Sequence, residues 1–179
     1  MWRVASDHVF ARVALATLVL AVMSGLVLPA EAAPDLPRPQ GEVVLVVTGN
    51  IAHKNSAAGA EFDLAMLEGL GTTALRTSTP WTDGVPMFKG VLAREVLRRV
   101  GARGTRVRAI ALNEYAFEMP VSDFDEYPVI LASEMNGEAL TARDKGPLWI
   151  VYPLDQIGAG RNRSIEHRMV WQLVELHVR

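Results

Sequence analysis

The sequence of 179 residues contains no cysteine. This absence excludes thiol nucleophiles, iron–sulfur clusters and metal sites built on thiolates, and it leaves no disulfide to stabilise the fold. Neither sign of charge dominates, since 18 Lys and Arg residues stand against 20 Asp and Glu residues, and the formal net charge is −2. A balanced, weakly acidic surface argues against nucleic acid and against an anionic membrane surface as partners.

Motifs of the common catalytic classes are also missing. The sequence has no Ser-His-Asp order, no HExxH pattern, no phosphate-binding loop and no dinucleotide fingerprint. The paired acids of Asp123–Glu126 fall in a short polar stretch, so we expect them at the surface and not as an acid–base pair. We therefore predict no catalytic residue and no metal-ligating residue.

The N-terminus carries the features of an export signal. Arg3 and Arg12 precede an apolar run over residues 13–28, and Ala30 and Ala32 follow it in the Ala-x-Ala pattern that signal peptidase cleaves. The run is short for a membrane span of about 20 residues. We predict a signal peptide over residues 1–32 and a periplasmic or secreted protein without stable membrane insertion after cleavage. Because no paired arginines are present, we expect the general secretory route, which passes an unfolded chain.

Residues 33–41 contain three prolines and predict a stiff exposed leader. The remaining residues, 42–179, have the length of one domain. Apolar residues at helical spacing predict two short helices, at 61–70 and 91–100. A short acidic helical turn is predicted at 122–127. Residues 78–89 predict a long loop. About seven strands are predicted, at 43–48, 72–77, 105–112, 115–119, 129–135, 148–152 and 171–178. Strands and helices do not alternate regularly, so we predict an α+β fold with mixed, multi-layer β structure.

Several motifs occur in a specific order along residues 42–179. The most specific is TPWTDG at Thr79–Gly84, followed by FKGVL at Phe88–Leu92. Weaker motifs lie at 47–51, 62–70, 113–121, 127–140, 145–153 and 171–173. Together they resemble the oxidoreductase molybdopterin-binding domain family, which has the sulfite-oxidase-like fold. The resemblance implies several layers of sheet around a cofactor cleft.

The sequence departs from this family at the metal ligand. The resemblance implies a cysteine thiolate on molybdenum just after the strand at 72–77, and Thr77 lies in that segment here. A hydroxyl does not replace a soft thiolate on this metal, and export of an unfolded chain does not suit a preloaded cofactor. We therefore expect no enzymatic activity and no bound cofactor, although the resemblance implies molybdopterin as the group such a fold binds.

These considerations favour a non-redox binding or accessory module for a small anion, a pterin-like ligand or a protein partner. Two alternatives remain. One is an active molybdopterin-dependent oxidoreductase whose metal is held by the pterin dithiolene. The other is a soluble periplasmic sensor subunit of a membrane signalling protein.

Polar residues in three loops are the candidates for ligand binding. The resemblance implies that the first loop, at residues 53–59, faces the pterin. We predict that Arg76 and Trp81 line one cleft that holds an anion by charge and stacking; an ion pair from Arg76 to Asp83, with Trp81 in the core, is the alternative. A charged turn at 143–145 is either solvated or an anion site, and basic residues at 161–168 form a further patch. The candidates are His53, Asn55, Arg76, Thr77, Trp81, Asp83, Arg143 and Lys145.

Overall fold

Ten strands lie in the residues that the computed structural model describes, which are 36–157 and 164–179. These residues belong to one compact unit, Pro34–Arg179. Short helices and a 3₁₀ turn, Leu154–Gln156, connect the strands. The strands are β1 (Val43–Gly49), β2 (Ala60–Asp63), β3 (Thr72–Arg76), β4 (Met87–Leu92), β5 (Arg106–Ala111), β6 (Ala116–Pro120), β7 (Ile130–Met135), β8 (Glu138–Ala139), β9 (Trp149–Val151) and β10 (Leu173–Val178), and the named helices are α1 (Leu64–Glu68), α2 (Ala93–Arg99) and α3 (Ser122–Glu126).

The strands form two sheets. The first sheet has the order β2-β1-β10-β5-β6, and the second has the order β3-β4-β7-β8 with β9 paired to β7. β1 runs parallel to β10, whereas the other pairs are antiparallel. Mixed pairing with short helices between strands confirms the predicted α+β class.

In β5 burial has the period of a strand with one buried face, since Val107, Ala109 and Ala111 are buried and alternate with more exposed residues. In β10 this period is interrupted. The pairing of β10 with β5 shifts between Leu173 and Glu175, so that Leu173 and then Leu176 and Val178 are all buried. A bulge changes which face the later residues occupy, and this explains why one continuous alternation does not describe the strand.

The predicted helix at 61–70 is wrong in its first turn. Residues 60–63 form β2 against β1, and α1 begins only after Asp63. That residue has extended backbone angles, and its carboxylate accepts from the N–H of Met66 at 2.8 Å. An aspartate in this geometry caps the helix N-terminus, which moves the start of the helix.

The N-terminal leader is tied to the same aspartate. The N–H groups of Gln40 and Gly41 donate to the second carboxylate oxygen of Asp63, at 2.8 and 2.9 Å. These two N–H groups and that of Met66 lower the pKa of Asp63 below its ordinary value, and the bond from Gly41 has the largest effect. Leu36 is also buried. The leader is thus not wholly exposed, in contrast to the prediction from its prolines.

The predicted loop at 78–89 ends early, and the predicted helix at 91–100 begins late. β4 occupies residues 87–92, between β3 and β7, and α2 follows it. Phe88 and Val91 are buried and have the β preference of aromatic and branched residues. At Gly90 an added Cβ would lie 2.0 Å from the carbonyl oxygen of Leu131, so only glycine permits this approach of two strands.

The acidic turn at 122–127 forms α3 as expected, but one of its acids is buried. Asp123 is 5% exposed, so its prediction as a surface residue is wrong. Glu114 and Asn136 have positive φ angles of 65° and 54° in the turns after β5 and β7. Within the described residues, no helix is long and apolar enough to cross a membrane.

Candidate functional site

A cleft of about 290 Å³ lies among three stretches of chain that are distant in sequence. Trp81 comes from the loop between β3 and β4, a second group comes from the turn between β5 and β6, and a third comes from the segment just before β10. We call it the tryptophan cleft. Its described lining consists of Trp81, Ala111, Asn113, Tyr115, Glu166, His167, Met169, Val170 and Trp171.

Aromatic rings form its walls. The rings of Trp81 and Trp171 have centroids 5.1 Å apart and planes at 74°, and Trp81 also meets Trp149 edge to face at 6.2 Å. Trp149 is fully buried, and its indole N–H donates to the carbonyl of Met169 at 3.1 Å. The Trp149 ring is thus fixed by packing and a hydrogen bond, and Trp81 packs against it. Trp81 itself stays 36% exposed.

The loop that carries Trp81 is held by hydroxyl groups. The Thr79 hydroxyl accepts from the backbone N–H of Trp81 at 3.2 Å and bonds the Thr82 hydroxyl at 2.9 Å. One residue earlier, the hydroxyl and the N–H of Ser78 donate to the carboxylate of Asp155. These two bonds lower the pKa of Asp155, which therefore stays ionised as the acceptor that fixes the loop.

The opposite wall comes from the β5–β6 turn. The side-chain oxygen of Asn113 accepts from the N–H of Tyr115 at 3.1 Å, which closes a local Asx turn. The N–H of Leu112 donates to the carbonyl of Gln172 at 2.9 Å, so the turn is tied to the residue after Trp171. Tyr115 remains 48% exposed, and its ring stays open to solvent at the mouth of the cleft.

A partly buried ion pair holds the third stretch. Arg168 donates to the carboxylate of Asp123 at 2.5 Å, and the hydroxyl of Tyr152, which is fully buried, donates to the same oxygen at 2.8 Å. Burial and then the charge of Asp123 raise the pKa of Tyr152, so its hydroxyl remains a donor. Burial alone would lower the pKa of Arg168, but its bond to Asp123 raises it. Arg168 lies between the cleft residues His167 and Met169, so this network positions the cleft wall.

The prediction that Arg76 and Trp81 line one cleft is wrong. Arg76 lines a separate concavity on the second sheet, together with Met87 and Lys89. Successive residues of a strand point to opposite faces; Leu75 is buried, and Arg76 therefore lies on the outer face. The alternative ion pair between Arg76 and Asp83 is also not found among the described residues.

The first loop uses its polar residues to hold itself together. The amide of Asn55 donates to the carbonyls of Pro37 and Glu61, at 2.6 and 2.9 Å, and accepts from the N–H of Glu61. His53 is half-buried, and its backbone N–H donates to the carbonyl of Val100 at 3.0 Å. Neither residue lines the tryptophan cleft, and a ligand role for them stays a prediction.

The charged turn before β9 is only partly solvated. Arg143 and Asp83 are exposed. Lys145 pairs with Asp144 at 3.3 Å, and its ammonium lies 5.5 Å from the centroid of the Trp149 ring, a cation–π distance. Of the predicted basic patch, Arg168 is paired as described above, His167 stacks on Phe117 at 6.3 Å, and residues 161 and 163 lie outside the described part of the chain.

Thr77 does not fit a molybdenum ligand. It is fully buried; its hydroxyl donates to the carbonyl of Ser78 and accepts from the N–H of Asp155, both at 3.2 Å. Both bonds stabilise the loop, and a hydroxyl oxygen is a poor substitute for a soft thiolate. Within residues 36–157 and 164–179, no group of three or more His, Asp or Glu side chains is placed to hold a metal ion.

The cleft contains residues that sequence reasoning missed, chiefly Trp171, Tyr115, Asn113 and Glu166. One signal was available, because Trp81, Trp149 and Trp171 are the only tryptophans after residue 2. Large aromatic residues at the ends of strands and in turns are frequent in binding surfaces. Their convergence, however, depends on the pairing of strands far apart in sequence.

Known proteins resemble the chain at the level of family and fold. The family model of the oxidoreductase molybdopterin binding domain matches residues 65–165. The crystal structure of the sulfane dehydrogenase SoxCD from Paracoccus pantotrophus is similar with a TM-score of 0.56 and 19% identity, over 76% of this chain. The match covers 38% of that chain, so this protein spans well under half of its length. No curated protein matches the sequence.

Proposed function

Because the chain belongs to the oxidoreductase molybdopterin-binding domain family, we propose that it is an exported, non-redox member that binds a small organic ligand in the tryptophan cleft. The observation that carries this proposal is the cleft itself: Trp81 and Trp171 wall a cavity of about 290 Å³ on a fold whose chain has no cysteine. Apolar, aromatic cavities with few polar groups are the usual sites of small ligands.

The non-redox part of the proposal rests on Thr77. Its hydroxyl is used in two hydrogen bonds within the loop, so its release toward a metal would remove the acceptor of the Asp155 N–H. The same side chain therefore supports the loop that presents Trp81 and is unsuited to molybdenum.

The export part of the proposal rests on residues 1–32. The positive n-region, the short apolar run and the Ala-x-Ala sequence are the three elements of a cleavable secretory signal. General secretion passes an unfolded chain, and a binding module that acquires a free ligand after folding is compatible with that route.

The charge of the cleft favours a neutral or cationic ligand over an anion. Among its described lining residues, Glu166 supplies a negative charge and neither Lys nor Arg is present. Arg168, the neighbouring cation, is already bonded to Asp123. Among the described lining residues, an anion would meet the carboxylate of Glu166, with His167 as the other titratable side chain.

Intrinsic fluorescence tests the proposal directly. Once the predicted signal peptide is removed, Trp81, Trp149 and Trp171 are the tryptophans of the protein, and all three lie in or beside the cleft. We expect a bound ligand to change the emission of the mature protein. Trp81→Leu should weaken binding about tenfold or more, as loss of a central aromatic contact does.

Arg76→Ala is the matched control, since Arg76 is an exposed residue on a separate concavity. It should leave binding unchanged. If Arg76→Ala weakens binding and Trp81→Leu does not, the assigned site is wrong. Metal analysis of protein purified from its native compartment tests the non-redox part, because stoichiometric molybdenum would support an active molybdopterin oxidoreductase instead.

A further inference from the structure

We propose that the tryptophan cleft takes a small organic cation of the quaternary ammonium class. This inference rests on the binding function proposed above and specifies its ligand. It is carried by three features of the cleft: the arrangement of its rings, the sign of its charge and its shortage of free hydrogen-bond acceptors.

The rings form a corner. The planes of Trp81 and Trp171 meet at 74° with centroids 5.1 Å apart, and Tyr115 lines the same cavity. The face of an aromatic ring carries negative potential, and a cation within about 6 Å of the centroid is attracted to it. Because Trp81, Trp171 and Tyr115 line one cavity, a cation in it lies near aromatic groups from more than one side.

The charge of the lining has the matching sign. Glu166 lines the cavity with the aromatic residues, His167 is the other titratable residue of its described lining, and that lining contains no Lys or Arg. In this apolar setting the attraction between a carboxylate and a cation is stronger than in water. Lys145 is not part of the described lining. Its ammonium lies near the Trp149 ring and pairs with Asp144.

The polar groups favour a quaternary over a primary ammonium. A primary ammonium carries three N–H donors that need acceptors when it leaves water. In the cleft, the carboxylate of Glu166 can accept from some of these donors, but the side-chain oxygen of Asn113 already accepts from Tyr115 and the carbonyl of Met169 accepts from Trp149. A quaternary ammonium has no N–H group to satisfy, so its transfer into the cleft leaves no donor unpaired.

The size of the cavity agrees with a small ligand. Its volume of about 290 Å³ lies just below the range for ligand pockets, which is about 300–1,000 Å³. Ligands of the size of choline belong to this class, and a cofactor with a long phosphate-bearing arm would extend beyond the described lining.

Choline and its neutral carbon isostere, 3,3-dimethylbutan-1-ol, separate charge from shape. We expect calorimetry and tryptophan fluorescence of the mature protein to show choline binding at least about tenfold more tightly than the isostere, since cation–π attraction in a desolvated site adds to a shared apolar contact. Ethanolamine, the primary ammonium, should also bind more weakly than choline.

Two carboxamide variants test the charge. Glu166→Gln keeps the size of the side chain and should weaken choline binding several-fold while leaving the isostere unaffected. Glu138→Gln removes an exposed carboxylate on β8 and should change neither. For the rings, Trp81→Leu and Tyr115→Leu should each weaken choline binding; both side chains are at least one-third exposed, and two variants guard against failure of either one to fold.

Equal binding of choline and the isostere would overturn the cation assignment. So would binding of a pterin or an anion with no response to choline, although either result would leave the binding function of the cleft intact. If none of these probes changes the emission of correctly folded protein, both the cation assignment and the proposed function are wrong.

Discussion

Replacement of Asp123 by alanine is the most informative perturbation of the fold around the cleft. One oxygen of this carboxylate accepts from the hydroxyl of Tyr152 at 2.8 Å and from Arg168 at 2.5 Å. After the change, the acceptor described near the fully buried hydroxyl of Tyr152 is the weakly accepting sulfur of Met119, at 3.5 Å. Arg168 loses its charged partner, while the neutral hydroxyl of Tyr152 stays beside it, and its side chain is only 23% exposed.

The expected cost follows from these two losses. Removal of one partner of a buried ion pair destabilises a protein by about 3–5 kcal/mol. Since Arg168 keeps some contact with solvent, we expect the lower end, about 3 kcal/mol. For a domain of this size that corresponds to a fall in Tm of about 10 °C. Tyr152→Phe removes one hydrogen bond to a charged group and should cost about 2 kcal/mol.

Urea unfolding followed by circular dichroism measures these values, and Asp125→Ala is the matched control because it removes an exposed carboxylate from the same helix. The control should change stability by less than about 0.5 kcal/mol. A double-mutant cycle between Asp123 and Arg168 should give a coupling energy of about 1 kcal/mol or more. If Asp123→Ala costs no more than Asp125→Ala, the network does not hold the cleft wall, and the reasoning from its geometry fails.

Three other expectations concern separate parts of the chain. Gly90→Ala should destabilise the protein by about 2 kcal/mol in urea unfolding, because the new Cβ meets the carbonyl of Leu131; an unchanged midpoint would contradict this. Asp63 has a lowered pKa in the fold, so its contribution to stability is present above its unfolded pKa of about 4 and is lost as pH falls through the folded value. Asp63→Asn should therefore flatten the decline of stability with pH in acid, and an unaltered pH profile would count against it. Intact-mass analysis of exported protein should give Ala33 as the first residue; retention of residues 1–32 would refute cleavage.

Local patterns were sufficient for much of the fold. The strands predicted at 43–48 and 105–112 are confirmed as β1 and β5, because each depends on residues within one element. The errors at β2 and β4 have one cause. In both places a short strand is followed directly by a helix. The spacing of the apolar residues there fits both a strand and a helix, and the strand forms because it pairs with a neighbouring strand.

The position of Arg76 was predictable in principle. Leu75 is an apolar residue of the strand predicted at 72–77, and alternation along a strand places its neighbour Arg76 on the other face. The prediction of a shared cleft instead relied on closeness in sequence to Trp81. Closeness in sequence does not decide orientation when a loop leaves a sheet, because the loop continues from an end of the strand whereas a side chain leaves from one of its faces.

The partners of Trp81 could not be inferred from local sequence at all. Trp149 lies beside Trp81 because β9 pairs with β7, and Trp171 lies beside it because β10 pairs with both β1 and β5. The hydrogen bond from Trp149 to Met169 then connects β9 to the segment before β10. A cleft whose wall depends on three long-range pairings forms only when the fold is complete. Ligand affinity should therefore respond to changes in the Asp123 network, which touches no ligand, as well as to changes in the rings themselves.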